Sequence, residues 1–453
     1  MTRTRVQQTV MLRNSLLRPA TTIRVTGYKH SAVAILAASL SYSQAEITLT
    51  NIPHIQDILI LKSIFNSLGA KVELNQGRMT INTKNLCNFD VPESLSKQIH
   101  GAIYLIPMLL GRLGEVVIGA CGGCQIGEQT ELGKRPIEHM LDVLKTFSAE
   151  FKFVAGKLIG RTKGLKACKI DIMKYSDEKN MLTGPLVSGA TKTALLAAIM
   201  AVDTGVTKIL NPYPKCDVVE LVNFIKKIGY IVHWQDNCIT LTKRKFLQTP
   251  IHYHIMPDIT QVITWISCAV YHRVAIKLVN LEVEKVKIAL KDELISLAAM
   301  GIDLIWLDRA LMIPKIQGKT IHQNFTITST GIYSDHQPFF ALMLLEAGKP
   351  STIKEMVWKN RFDYAREMKK LGLDLRIENH HLMIHPSQSK ESKQVLYATD
   401  LRAAAVLILA ALRAPLYTYI VGCEHLIRGY DDFFSDLKKL DVNVSFIDEP
   451  VAE

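Results

Sequence analysis

One short pattern recurs six times along the chain, and it limits the possible folds more than any single motif does. Each copy is an amphipathic helix end, a small or turn-forming residue and then an alternating strand. The copies read "SIFNSLGAKVEL", "VLKTFSAEFKF", "FIKKIGYIVHW", "LAAMGIDLIW", "MKKLGLDLRI" and "LKKLDVNVSF". Their turn residues are Gly69, Ser148, Gly229, Gly301, Gly372 and Asp441, spaced 79, 81, 72, 71 and 69 apart. Glycine suits the position after a helix's last turn because the left-handed conformation costs it no Cβ clash. The alternation that follows reads as half-buried strand.

A second series keeps the same period. Small-residue apolar helices are expected at "SAVAILAASL", "IHGAIYLIPMLL", "GATKTALLAAIMA", "ITQVITWISCAVY", "DHQPFFALMLLEAG" and "DLRAAAVLILAAL", each followed by a β-rich run. Such helices are apolar nearly all round, so they belong inside, with sheets packed around them. One unit cannot bury its helix alone, whereas three units closing about an axis bury three. Six units therefore predict two pseudo-threefold domains, in keeping with a length of 453 residues, too long for one ordinary core.

Composition excludes several classes. With 48% apolar and 21% charged residues the chain is globular rather than disordered. No run of 18 apolar residues escapes a charge or a Gly/Pro break, so no membrane-spanning segment is expected. A net charge of +12 points to an anionic partner, but the lysines are dispersed and aromatics make up only 7%, which argues against nucleic acid. The eight cysteines are spread over a long chain, as expected of reduced thiols in a cytoplasmic protein. The first 24 residues hold five arginines and no acid; residues 1–20 read as a basic, solvated N-terminal extension.

The loop "GACGGCQIGEQTELGKRPIE", residues 119–138, carries Cys121 and Cys124 at CxxC spacing. A zinc site needs a second ligand pair, and the remaining cysteines lie singly. No thioredoxin-like context supports a redox pair. A loop presenting one reactive thiol is the third reading.

In "VTGYKHSAVAIL", "GGCQIG…KRPIEHML", "SDHQPFFALML", "VWKNRF", "ATDLRAAAVLILA" and "IRGYDDF" the chain resembles the enolpyruvyl transferases over about residues 20–448. It is most similar to the branch that acts on UDP-N-acetylglucosamine; the Gly-Ser-Lys-Ser opening and Asn-Ala-Gly-Thr loop of the shikimate branch are missing. The resemblance implies an α/β fold, a two-domain inside-out α/β barrel of six repeated units. Residues 21–28 with 246–453 would form domain one (repeats four to six). Residues 29–245 would form domain two, with the Cys124 loop and repeats one to three.

The implied reaction moves the enolpyruvyl group of phosphoenolpyruvate to the 3-hydroxyl of UDP-N-acetylglucosamine and releases phosphate, the first committed step towards peptidoglycan. No cofactor and no metal are implied, and a monomer or weak oligomer is expected. Such chemistry needs an acid, a base and several cations around a phosphate and a carboxylate. By resemblance Cys124 protonates or captures the enolpyruvyl carbon, Asp335 is the base for the acceptor hydroxyl, and Asp400 and Arg402 help hold the reacting groups. Lys29, His30, Arg135 and Arg428 match the phosphoenolpyruvate site, with Lys29 also catalytic. His30, Arg135, Pro136, Ile137, Glu138, Ser188, Gly189, Asp335, Val357 and Arg361 match the nucleotide-sugar site. Locally, Ser334 and Gln337 have capping-box spacing, and Thr399 is a candidate N-cap for the helix after it.

Departures from the family pattern keep alternatives open. His30 stands for an asparagine, Lys215 for an acid, and Ile99 or His100 for an arginine; the loop between Cys124 and Arg135 is longer, with 128–134 inserted. The same chemistry on another nucleotide or sugar acceptor, an inactive paralogue, and an RNA-binding protein like the RNA 3′-phosphate cyclases remain as readings.

Overall fold

The structure, a computed structural model, describes residues 8–123, 136–244, 248–358 and 361–447. These form six four-stranded sheets and divide into two compact units. Gly27–Met256 is one; Met1–Thr26 with Pro257–Glu453 is the other. In each unit three sheets cover apolar helices, the inside-out α/β arrangement expected. Every residue of the helices Gln337–Leu344 and Leu401–Ala411 is buried, and Lys29–Ser39 and Val187–Met200 are buried for nearly their whole length. Small residues let these rods approach: a Cβ at Gly101 would stand 2.7 Å from Val33, and one at Gly111 2.4 Å from Met200.

The turn positions behave alike in all six repeats. Gly69, Ser148, Gly229, Gly301, Gly372 and Asp441 have φ of 95°, 69°, 101°, 73°, 79° and 63°, the left-handed conformation that lets the chain leave a helix and enter the next strand.

The sheets also share one pattern: a parallel pair, then two antiparallel strands. In the second repeat Asp90–Val91, Glu115–Ile118, Lys157–Arg161 and Glu150–Val154 lie side by side in that order. Three sheets are completed from a distance. Ile251–His254 runs parallel to Ile47–Thr50, and Thr21–Arg24 runs parallel to Ile276–Val279. Each of these strands precedes a core helix of the other unit, so the chain exchanges one strand reciprocally where it passes between units. The unit therefore extends to Met256 rather than stopping at the expected 245. The third distant strand corrects the expected extension at 1–20. Thr9–Arg13 sits between Tyr417–Val421 and Val444–Ile447, antiparallel to both, with Val10 and Leu12 fully buried. In its sheet it takes the place that Arg78–Asn82 takes beside Lys71–Asn75, and its Val-Met-Leu run makes it a strand despite the flanking arginines.

Four of the six turn residues are glycine, and Ser148 and Asp441 are the exceptions. Ser148→Gly is expected to raise stability by about 0.5 kcal/mol, because a side chain in the left-handed region costs more than glycine's extra chain entropy. Gly69→Ala is expected to lower it by about 1 kcal/mol or more, since the new Cβ would stand 2.5 Å from the Asn85 carbonyl oxygen. Chemical unfolding midpoints of the two variants should move in opposite directions.

Candidate active site

In the unit Gly27–Met256 the candidate residues gather at helix starts. Lys29 opens the core helix Lys29–Ser39, and its Nζ lies 2.7 Å from Asp57 Oδ2, both side chains being mostly buried. Asp57 sits in the first turn of the helix Gln56–Ser67, where a carboxylate is favoured by the exposed N–H groups. His30 follows on the same turn, its ring edge-on to Tyr28 at 5.3 Å. Pro136 and Ile137 lead into the helix Glu138–Thr146, and the exposed Glu138 bonds back to the Ile137 N–H at 2.9 Å. Ser188 and Gly189 lie in the first turn of Val187–Met200. A Cβ at Gly189 would meet His139 Nε2 at 2.6 Å, so the imidazole rests directly on the glycine.

Deeper in the same unit lies a pair that sequence reading missed. Lys192 Nζ bonds Asp217 Oδ2 at 2.7 Å, with both side chains 5% exposed, and the ammonium stands 5.4 Å from the Tyr104 ring centre. Burial opposes the charge on each partner but is outweighed. Asp217 and Tyr104 hold the lysine above its usual pKa, while Lys192, then His30, hold the aspartate below its own. Lys192 stands inside a small-residue apolar run, where its long stem gives no periodicity signal.

In the other unit the arrangement centres on Asp335. Arg361 Nη1 donates to its Oδ1 at 2.6 Å, and Arg402 Nη2 to its Oδ2 at 3.0 Å. Both arginines are buried, whereas the Asp335 side chain remains 26% exposed. Two planar guanidinium groups therefore fix one carboxylate from behind and leave its edge open. Arg402 also lies over the Tyr430 ring at 6.0 Å. Arg428 is buried at the end of the 3-10 turn Cys423–Arg428.

Capping differs from expectation at two places. Asp400 itself, not Thr399, caps the helix Leu401–Ala411, accepting from the Arg402 and Ala403 N–H groups at 2.7 and 3.1 Å. Both N–H groups meet the same oxygen, Asp400 Oδ1, and its negative charge suits the start of a helix. Ser334 makes no capping box: its hydroxyl donates to Glu355 Oε2 at 2.9 Å.

Glu355, also missed, ties two candidate stretches together. Its Oε1 accepts from the Val357 and Trp358 N–H groups at 2.8 and 3.1 Å while Oε2 holds Ser334. It ends the strand Ser351–Glu355, whose alternate residues point inward, so an acid at a buried register position was the readable sign. Burial pushes its carboxyl up to about 7, against the two N–H groups, the Arg361 guanidinium and the Ser334 hydroxyl.

Cys124 and Arg135 lie outside the described residues, as does the 128–134 insertion. Cys121 is buried, and burial pushes its thiol up to about 12, so it is a core residue rather than a thiolate donor at neutral pH. Among the described residues no group of three His, Cys, Asp or Glu side chains could hold a metal ion, and no helix is long and apolar enough to cross a membrane.

The model for EPSP synthase (3-phosphoshikimate 1-carboxyvinyltransferase) matches residues 18–437. A UDP-N-acetylglucosamine 1-carboxyvinyltransferase of Coprothermobacter proteolyticus is 29% identical over 95% of this chain and 96% of its own length. The enzyme of that name from Pelagibacter ubique is 28% identical over 94% and 96%. Among solved structures, the enolpyruvyl transferase NikO from Streptomyces tendae is 30% identical, with a TM-score of 0.90 over 98% of this chain and all of that one. An EPSP synthase from Acinetobacter baumannii, 17% identical, shares the fold with a TM-score of 0.71.

Two stability measurements follow from these contacts. Lys192→Met leaves Asp217 buried and unpaired and is expected to cost about 3–5 kcal/mol, most of it recovered when Asp217→Leu is added; unfolding midpoints of the single and double variants read this directly. Glu355 binds a proton more tightly folded than unfolded, so its contribution falls as pH rises from the ordinary carboxyl range through about 7. The midpoint of Glu355→Gln relative to the parent should therefore improve between pH 5 and pH 8, values chosen to bracket that titration.

Proposed function

Because the chain belongs to the EPSP synthase family of enolpyruvyl transferases, we propose that it transfers the enolpyruvyl group of phosphoenolpyruvate to the 3-hydroxyl of UDP-N-acetylglucosamine. The observation that carries this reading is the Asp335 cluster, a part-exposed carboxylate gripped on both oxygens by buried Arg361 and Arg402. A base must meet a hydroxyl from one direction, and two fixed guanidinium groups give it that direction.

In the proposed reaction Asp335 takes the proton of the acceptor hydroxyl as its oxygen attacks C2 of phosphoenolpyruvate. Cys124 delivers a proton to C3 and is left as the thiolate. The tetrahedral adduct then returns a C3 proton to that thiolate and expels phosphate, restoring the double bond. Lys29, Arg135 and Arg428 supply positive charge for the carboxylate and phosphate of the donor, and Arg402 neutralises Asp335 between turnovers. Asp400 keeps Arg402 on its helix by capping the first turn. Ser188, Gly189 and the Pro136–Glu138 stretch hold the nucleotide; His139 packs directly against Gly189, where a side chain would strike it. Val357 lines the acceptor side.

A second reading keeps the chemistry and changes the acceptor to another nucleotide. It is supported by His30, an imidazole that helps hold Asp217 below its usual pKa where the related pattern has an amide.

Incubating the protein with phosphoenolpyruvate and a panel of UDP-sugars and nucleotides, with phosphate release and product mass as readouts, tests both readings. Release with UDP-N-acetylglucosamine and a product heavier by one enolpyruvyl group is expected. Release with a nucleotide alone transfers the assignment to the second reading, and no release with any acceptor overturns both. Fosfomycin is expected to alkylate the parent protein and to leave Cys124→Ser unlabelled, as read by intact mass.

A further inference from the structure

The turn that carries Asp335 is held by a side-chain chain that the proposed chemistry does not use. His336 is the residue before the helix Gln337–Leu344, yet its ring makes no cap bond. Its N–H donates to the Tyr333 carbonyl, and the Phe339 and Phe340 N–H groups donate to its own carbonyl. The ring instead turns inward. Nδ1 lies 2.9 Å from Glu293 Oε1, and Nε2 lies 3.2 Å from Thr260 Oγ1. The same Glu293 oxygen accepts the Tyr333 N–H at 2.8 Å. His336 and Glu293 are completely buried, and Thr260 is 1% exposed. The Tyr333 and His336 rings pack at 5.0 Å.

A carboxylate this deep is costly unless donors meet it, and the Tyr333 N–H and the His336 ring that meet its Oε1 both belong to the turn 333–336. Glu293 thus grips the turn at its first residue through the backbone and at its last through the imidazole. Between those two anchors stand Ser334, bonded to Glu355, and Asp335, bonded to Arg361 and Arg402. Thr260 adds a third support from the first turn of the helix Ile259–His272, which Asp258 caps through the Thr260 and Gln261 N–H groups at 2.8 and 3.1 Å.

We infer that His336, held by Glu293 and Thr260, is a positioning residue that sets the direction of the Asp335 carboxylate towards the acceptor hydroxyl. This rests on the proposed function, in which Asp335 is the base. The imidazole touches no reacting atom; it acts through the backbone it fixes. Because proton abstraction is sensitive to misplacement of about 1 Å, loosening this turn lowers turnover much more than it weakens binding.

The test compares His336→Phe with His336→Asn in the phosphate-release assay. Phenylalanine fills the ring volume without a donor, whereas the asparagine amide N–H2 stands close to the position of Nδ1 and can donate to Glu293. His336→Phe is expected to lower kcat roughly 10–100-fold with KM for phosphoenolpyruvate changed less than about twofold, and His336→Asn to restore kcat to within about threefold of the parent. Unchanged kcat in a folded His336→Phe, or equal loss in the two folded variants, overturns the inference. Should His336→Phe fail to fold, Glu293→Gln takes its place: a lowered kcat at unchanged KM supports the inference, and parental kcat overturns it. A parent protein inactive with every acceptor overturns the proposed function and this inference together, whereas an active parent with indifferent variants overturns this inference alone.

Discussion

A helix with no polar face has to be enclosed. Gln337–Leu344 and Leu401–Ala411 offer water nothing along their length, and the backbone N–H and C=O groups of each are already spent on the helix itself. Enclosure by sheets is what remains, and a single four-stranded sheet covers one side of one helix. Three repeats per unit follow from that geometry, and so does the demand that every sheet in the ring be complete. Where the chain arrives or leaves, strands are borrowed: Thr21–Arg24 and Ile251–His254 are exchanged, and Thr9–Arg13 travels from the chain start to the sixth sheet.

The same enclosure confines polar chemistry to helix ends. Lys29 and His30, Ser188 and Gly189, Asp258 and Thr260, and Asp400 and Arg402 all stand within the first turn of a core helix or just before it. There the free N–H groups favour anions, whether a carboxylate of the chain or an oxygen of a ligand. The exceptions are instructive. Lys192 lies further along its helix and needs Asp217 to be tolerated, and Glu355 lies at the end of a strand, where burial keeps its carboxyl close to neutrality.

The repeats were legible because two periodic signals ran in parallel: six left-handed turn positions and six small-residue helices. Both reflect local backbone demands that any sequence window displays. The arginines flanking Val10 and Leu12 concealed the opposite case, a short segment inside its sheet whose strand character depends on partners hundreds of residues away. Site residues were legible where a motif carried them, as in "SDHQPF" and "VWKNRF". Asp400 was visible as an acid but not as a cap, because Thr399 offers the same kind of oxygen one residue earlier. Glu293 and His336 had no local sign at all, since only the packing of distant helices brings them together.

The borrowed strands bear on the order in which the chain can become structured. Gly27–Met256 holds all three of its sheets within one continuous segment, so it can close while the remainder is still being synthesised. The other unit cannot. Thr9–Arg13 is made long before both its neighbours, Tyr417–Val421 and Val444–Ile447. Until they emerge this apolar strand waits, and its pairing closes a loop that runs from Arg13 to Tyr417. By simple chain statistics that closure is slow rather than prohibitive, because its entropy cost grows only with the logarithm of length. The arginines on either side in the sequence suit that wait, since charge beside an unpaired β-strand disfavours its pairing with other chains.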